Sequence, residues 1–564
     1  MAVTKSVKKI VVSDKRFSRL LQIYPYLYRY IESISNSVGI PTFYDTYELS
    51  YDLKKIRNVN IVYPLGEGIF IHVYMPPQGT VSGYRKYVAI EPPKPDPRLM
   101  EMLEIRLAEL ITEKDVSEDV EERKKVILSK LDKIVRVVDT PVDYGKIKNN
   151  SRYIPVYRPE LEYLRYHILR EKVGLGILEP FIRDPWLEDI TCKGSGYIYV
   201  VHKIFSSLET NIEFKTEEEL DTFVIKLAER IGKPVSHARP IVDATLPDGS
   251  RINIVYGSDV SLHGSNFTIR KFAKVPISVT QLIAWNTFDE KIAAYLWMLL
   301  NNSMSGFICG ETASGKTTTL NAIAVFIPPT SKIVSIEDTA EVQFPHPNWV
   351  RELTRDTGSK ESSVTMFDLL RAALRQRPNY IIVGEIRGVE ASIAFQAMQT
   401  GHPVLSTFHA ASVERVVQRL TGDPINIPKT FMDNLNFVLI QSAVWREGVM
   451  VRRVLSVNEI IGYDPKADAI IYVPVFVWDP VRDRFVFRGR GASHLLEEKI
   501  AVMRGISRVN MKKIYDELDL RAQFLRTLVE KKIFNYFDVW KAIVKTYELG
   551  IETALRRLER GSLL

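Results

Sequence analysis

Cysteine is almost missing: Cys192 and Cys309 are the only two in 564 residues. No C-x-x-C pair occurs, which excludes a tetracysteine zinc module and a disulfide framework. Both cysteines stand in apolar, strand-like runs and read as buried thiols of a protein in a reducing, cytoplasmic location. No run of about 18 apolar residues exists, so no membrane span is predicted. The densest apolar segment, 292–300, is too short. Met1-Ala2-Val3-Thr4-Lys5 leads into charged sequence without the apolar stretch of a signal peptide. Gly194 and Gly196 form only a G-x-G, with Tyr199 where a third glycine would be needed. That excludes a dinucleotide-binding fingerprint, and a hairpin turn suffices. Charge of one sign is also scarce: 76 Lys and Arg against 68 Asp and Glu leave +8. Such an excess permits an anionic partner without demanding one, and a solvated basic surface is the plainer reading.

What is present is ordinary globular composition, 46% hydrophobic and 26% charged, over a length that predicts about three to four domains. The first hundred residues carry no readable motif. Tyr24 to Tyr30 reads as a helix with inward aromatics, and 60–63 and 68–74 read as strands around a Pro64–Glu67 turn. The proline-rich Glu91–Pro97 breaks the chain, and 98–138 reads as surface helices interrupted near Asp115-Val116-Ser117. Asn149-Asn150-Ser151 reads as a linker. An α+β module follows, with helices at 159–173 and 216–231 and strands at 197–201, 252–256 and 267–271. Lys274-Val275-Pro276 is the hinge candidate.

Gly310-Glu311-Thr312-Ala313-Ser314-Gly315-Lys316-Thr317 fits G-x-x-x-x-G-K-[ST]. The apolar run Gly306–Cys309 before it predicts a buried strand, and Thr318 to Phe326 after it predicts a helix ending at Pro328-Pro329. Glycines let the backbone curl so that successive N–H groups point at one anion, and the helix N-terminus adds partial positive charge there. Lys316 is expected at the β- and γ-phosphates of ATP, and the Thr317 hydroxyl on Mg²⁺. The cradle is Gly310 to Thr318.

The α/β alternation continues beyond the loop. Strand 332–336 ends in Glu337-Asp338-Thr339-Ala340-Glu341, and strand 380–383 ends in Gly384-Glu385-Ile386-Arg387. Helices are predicted at 367–376 and 389–400. Strand 403–407 is flanked by His402 and His409. In an open α/β sheet, ligands bind at the C-terminal strand edge, where these side chains gather. Glu341 is the candidate base and Glu385 the metal-side carboxylate, acting through a metal-bound water. His402 and His409 are candidates to sense the γ-phosphate or bridge to a neighbouring subunit. Cationic help falls among Arg251, Arg270, Arg375, Arg377 and Arg387, and spacing alone does not select. Strand pairs are read at 437–445 with 450–457 and at 471–477 with 484–487, and the chain from His494 onward as helical.

Taken together, these residues resemble the secretion-type ATPases of type II secretion, type IV pilus and archaellum systems. The Gly310 loop is similar to that family's Walker A, 336–341 to its Asp box with the catalytic glutamate at Glu341, Val383–Arg387 to its atypical Walker B, and Thr400–His409 to its His box. Leu246-Pro247-Asp248-Gly249-Ser250-Arg251 and Thr268-Ile269-Arg270-Lys271 resemble its N-terminal module, whose arginines match Arg251 and Arg270. Thr339 stands where many bacterial members have proline, Asn379 where aspartate is common, and the tetracysteine zinc element is missing. The last departure points to the archaeal branch.

The resemblance implies an α/β fold: a RecA-like P-loop core at 276–460, preceded by an α+β (PAS-like) module at 151–275 and an N-terminal α+β extension at 1–150, and followed by a mainly helical C-terminal end at 461–564. It implies an ATP hydrolase using Mg²⁺, working as a homohexamer at the inner face of the cell membrane. ATP would lie between module and core, and cleft closure would be passed to a polytopic membrane platform protein, with pilin-like subunits moved indirectly. The region 1–150 would dock on the platform. An archaeal pilus-like filament or secretion is the leading expectation, and an archaellum assembly or rotation motor is an alternative. A nucleic-acid translocase is the reading from another class, disfavoured as a partner choice. A scaffold that binds ATP without hydrolysing it is opposed by Glu341 and Glu385 standing with Lys316.

Overall fold

Short runs of alternating or continuous apolar residues build one large sheet in each of the compact units Met1–Phe272 and Ala273–Leu564. In this computed structural model the described residues are 14–564, apart from 50–52, 55, 78–83, 113–114, 116, 118, 148–152, 273–274, 356–360 and 447. The expected linker Asn149-Asn150-Ser151, together with Val116 and Lys274, lies outside them.

The first unit contains strands β1 (Thr42–Phe43), β2 (Asn60–Gly66), β3 (Ile69–Tyr74), β4 (Arg85–Ile90), β5 (Val135–Val138), β6 (Ile154–Tyr157), β7 (Leu187–Cys192), β8 (Gly196–His202), β9 (Ser206–Phe214), β10 (Ile241–Thr245), β11 (Arg251–Val255) and β12 (Asn266–Arg270). Ten of them form one sheet in the order β1-β2-β3-β4-β9-β8-β7-β12-β11-β10, and β5 pairs with β6 alone. The junction is parallel, with Arg85–Tyr87 of β4 beside Leu208–Thr210 of β9. Apart from Leu208, the residues of β9 at the junction are polar, and its sequence does not read as a strand. Its buried Glu209 is matched there by the Lys86 ammonium. A second tie is the buried Asp184 carboxylate, which accepts from the hydroxyls of Tyr63 (2.6 Å) on β2 and Tyr87 (2.7 Å) on β4. A buried carboxylate is tolerated when hydrogen bonds saturate it. The Gly194 and Gly196 segment is the turn between β7 and β8, as the missing third glycine predicts.

The second unit holds β13 (Gly306–Cys309), β14 (Ile333–Glu337), β15 (Trp349–Leu353), β16 (Tyr380–Ile386), β17 (Val404–Phe408), β18 (Phe437–Arg446), β19 (Val449–Asp464), β20 (Ala469–Asp479) and β21 (Arg484–Phe487), in the order β15-β14-β16-β17-β13-β18-β19-β20-β21. From β15 to β18 every pairing is parallel, and from β18 to β21 every one is antiparallel. One strand, β17, separates the loop strand β13 from the strand bearing Glu385, and this order is that of a RecA-like core. The central strands are buried on both faces, as parallel strands covered by helices must be. Helix Lys316–Ala324 begins two residues before its expected start, and Met366–Arg375 and Glu390–Gln399 fall within a residue of theirs. Edge strand β15 is half-exposed and charged, so its sequence carries no strand signal.

Helices Lys512–Glu530, Tyr536–Leu549 and Ile551–Glu559 make the C-terminal end mainly helical. They join one core with helix Glu290–Asn301, whose Trp297 stacks on Phe326 at 5.3 Å. Glu459 of β19 is fully buried and accepts from Tyr295 Oη (2.5 Å), Ser493 Oγ (2.5 Å) and the Leu495 N–H (3.2 Å). Among the described residues, no helix is long and apolar enough to cross a membrane.

Candidate active site

The loop after β13 is built as its sequence predicts. Ala313 and Gly315 have φ of 62° and 91°, so the backbone turns back on itself before the helix starts at Lys316. Gly310 is required by space: a Cβ there would stand 2.2 Å from the Gln441 carbonyl oxygen and 2.5 Å from Ser314 Oγ. Such a curl at a helix N-terminus turns N–H groups toward one anion. Lys316 is buried, and its Nζ donates to the Glu311 carbonyl at 2.9 Å. Burial lowers its pKa, while the charges of Glu385 and Glu341 raise it. Both carboxylates therefore act electrostatically on this one ammonium.

Glu385 is the penultimate residue of β16, at a bulge that begins after Val383. Its buried Oε1 lies 2.8 Å from His409 Nε2 and, among the described residues, accepts no hydrogen bond. Its Oε2 accepts from Arg387, a bond that raises the guanidinium pKa. His409 Nδ1 lies 3.5 Å from Lys316 Nζ, which sets the imidazole between ammonium and carboxylate. Burial and then the Lys316 charge lower the His409 pKa, favouring the neutral ring. A cleft of about 350 Å³ opens here, lined by Gly310, Glu311, Thr312, His409, Arg415 and Arg419.

Glu341 lies beyond the end of β14 and is exposed. Its backbone is fixed on both sides: its N–H donates to Glu337 Oε1 (2.8 Å), and its carbonyl accepts from Asn321 Nδ2 (3.2 Å) on the loop helix. A triphosphate-bound Mg²⁺ takes one or two protein oxygens, with phosphate and water completing its shell. Among the described residues no three His, Cys, Asp or Glu side chains converge on a metal position. The Thr317 hydroxyl and the unbonded Glu385 Oε1 fit the smaller requirement.

Not every expected residue gathers here. His402 precedes β17 and bonds Thr400 Oγ1 at 3.1 Å, so it stands at the opposite sheet edge from His409, which follows that strand. Arg375 and Arg377 likewise precede β16, and only Arg387 follows it. In the first unit Arg251 and Arg270 are direct cross-strand partners on β11 and β12. Arg251 lies 3.7 Å from Asp243, and Arg270 3.3 Å from Asp189.

Sequence reasoning missed the buttress beneath the loop. Gln441 of β18 is buried; its Nε2 donates to the Ser314 carbonyl (2.7 Å) and its Oε1 accepts from Thr319 Oγ1 (2.7 Å). Arg452 of β19 adds a bond to the Ala313 carbonyl at 3.3 Å. The available signal was one amide at the end of the apolar run Phe437–Ile440. Gln441→Leu should raise the KM for ATP about tenfold with little change in kcat, because a slack loop binds phosphate less well and the buried carbonyl loses its donor. Steady-state kinetics beside a thermal melt would measure this.

The segment 171–446 matches the family described as "Type II/IV secretion system protein". The type IV secretion system protein PtlH of Bordetella pertussis is 31% identical, over 36% of this chain and 68% of its own length. The chain belongs to the type II/IV secretion system protein family. An uncharacterised protein of Methanocaldococcus jannaschii is 49% identical over 96% of this chain and 98% of its own. Among solved structures, the VirB11 ATPase from the type IV secretion system of Brucella suis matches at 23% identity and TM-score 0.26, covering 52% of this chain and 93% of that one. The pilus retraction motor PilT with bound ADP matches at 19% and 0.37, covering 62% and 92%. Membership of the type II/IV secretion family agrees with the loop, strand order and carboxylates, which lie within the core.

Proposed function

We propose that this family member hydrolyses MgATP as a hexameric, cytoplasmic motor at the inner face of the cell membrane, driving assembly of an archaeal pilus-like filament or secretion. The observation that carries it is the geometry at one sheet edge: His409 lies 3.5 Å from Lys316 Nζ and 2.8 Å from Glu385 Oε1, and Asn321 of the loop helix bonds the Glu341 carbonyl at 3.2 Å. Lys316 and the Gly310–Thr318 backbone would hold the phosphates, and Glu341 would take the proton of the attacking water. Thr317 and Glu385 would hold Mg²⁺, Glu385 through water. A magnesium ion held there would supply charge neutralisation to the phosphates. The neutral His409 ring would relay the state of Glu385 to the loop. Arg251 and Arg270 would meet the transition-state charge, from this chain or a neighbour. Residues 1–150 would dock on a membrane platform protein. Because β4 is hydrogen-bonded to β9, that docking would act through a continuous sheet rather than a tether.

The close similarity over nearly full length to a Methanocaldococcus jannaschii protein supports the archaeal setting. An archaellum motor remains the alternative of the same chemistry. Purified full-length protein with ATP and Mg²⁺ should hydrolyse ATP at a rate unchanged by added DNA or RNA. Stimulation of many-fold, lost at high salt, would replace this reading with a nucleic-acid translocase.

A further inference from the structure

The carboxylate that is most deeply placed near the site has no role in the scheme above. Glu337, the last residue of β14, is 1% exposed. Its Oε1 accepts two backbone bonds, from the Glu341 N–H and the Val342 N–H, both at 2.8 Å. Among the described residues its Oε2 accepts no hydrogen bond, and Arg351 Nε stands 3.6 Å away. The side chain also fills the space that Gly384 leaves open: a Cβ on Gly384 would lie 3.1 Å from Glu337 Cγ. Gly384 immediately precedes Glu385. One buried side chain thus touches both segments that carry the proposed catalytic carboxylates, the loop after β14 and the end of β16.

We infer that Glu337 is a positioning residue: its carboxylate clasps the backbone of residues 341–342 and, packed against Gly384, sets Glu341 in register with the Glu385 strand tip. The inference rests on the reading of Glu341 as the base. Two N–H donors converging on one oxygen fix the direction in which the chain leaves β14, and hence where the exposed Glu341 side chain starts. Without the clasp those N–H groups are left unsatisfied, and the loop must move to find water. Burial pushes the Glu337 carboxyl up to about 7, although its two backbone bonds and Arg351 pull the other way. An acceptor oxygen is what the geometry uses, and an amide oxygen provides one equally well.

The test uses the full-length protein and four variants, with kcat, KM for ATP, binding of a fluorescent ATP analogue and a thermal melt for each. Glu337→Ala should lower kcat by about 10- to 100-fold, the range expected when a reacting group is misplaced by about an ångström, with KM and analogue binding near wild type. Glu337→Gln should keep kcat within about threefold of wild type, because its amide oxygen accepts both N–H bonds. Gly384→Ala presses on the same side chain from the neighbouring strand and should also lower kcat. A merely structural role would move melting temperature and binding together and would not be rescued by glutamine. Full kcat in Glu337→Ala, or equal loss in the alanine and glutamine variants, overturns the clasp. Should Glu337→Ala not fold, an unchanged kcat in Gly384→Ala overturns it. Glu341→Gln separates the two readings: dead Glu341→Gln with fully active Glu337→Ala sinks the clasp alone, and active Glu341→Gln sinks the base assignment and the clasp with it.

Discussion

Glu341→Gln should yield a protein that binds ATP as tightly as wild type and turns it over about 10²- to 10⁴-fold more slowly, the usual cost of losing a general base. An amide keeps the size of the side chain and cannot take a proton from water. The rest of the site is left untouched, since Glu341 is held through its backbone by Glu337 and Asn321 rather than through its carboxylate. Loss of negative charge near Lys316 would, if anything, favour the triphosphate. Equilibrium binding of a fluorescent ATP analogue beside single-turnover hydrolysis separates the two steps. Normal turnover would remove Glu341 from the reaction.

Lys316→Ala should abolish hydrolysis and weaken ATP binding by about tenfold or more, since a charge-assisted contact to phosphate is lost. The effect exceeds that of deleting a surface lysine. Lys316 is buried, and two carboxylates act on it. Without the ammonium, Glu385 and Glu341 present uncompensated negative charge to the phosphates. The loop also loses the Nζ bond to the Glu311 carbonyl. A melting temperature near that of wild type, with no ATP-induced upward shift, is the signature to look for. A variant that hydrolyses ATP would show that phosphate is held elsewhere.

The RecA-like half was legible because its strands are continuous apolar runs and its loop has a fixed spacing. Gly306–Cys309, the strands ending near Glu337 and Glu385, and the helices between them lie where the sequence places them. Other features were not legible. Strand β9 is polar along its seam with β4, because an ion pair and the Asn211 amide replace apolar contacts there, so no period-two pattern betrays it. Edge strand β15 is half-exposed, and nothing buries a face for a pattern to record. The two histidines around β17 sit close in sequence, but an extended strand carries them to opposite sheet edges, so only His409 meets Glu385. Gln441 was missed for a related reason: the pairing of β18 with β13 that brings it under the loop is a long-range register, which local spacing does not encode.

The buried Glu459 has a practical corollary for anyone seeking a smaller catalytic fragment. The family match stops at residue 446, the last of β18, whereas two of the three donors that satisfy this carboxylate come from residues 493 and 495. A protein cut at the family boundary would lack β19 altogether, and with it Arg452 against the phosphate loop. One cut between β21 and Ser493 would keep the acid and strip most of its donors, stranding it in an apolar interior. The smallest self-sufficient piece of this unit therefore extends through the terminal helices, well past the boundary of the family match.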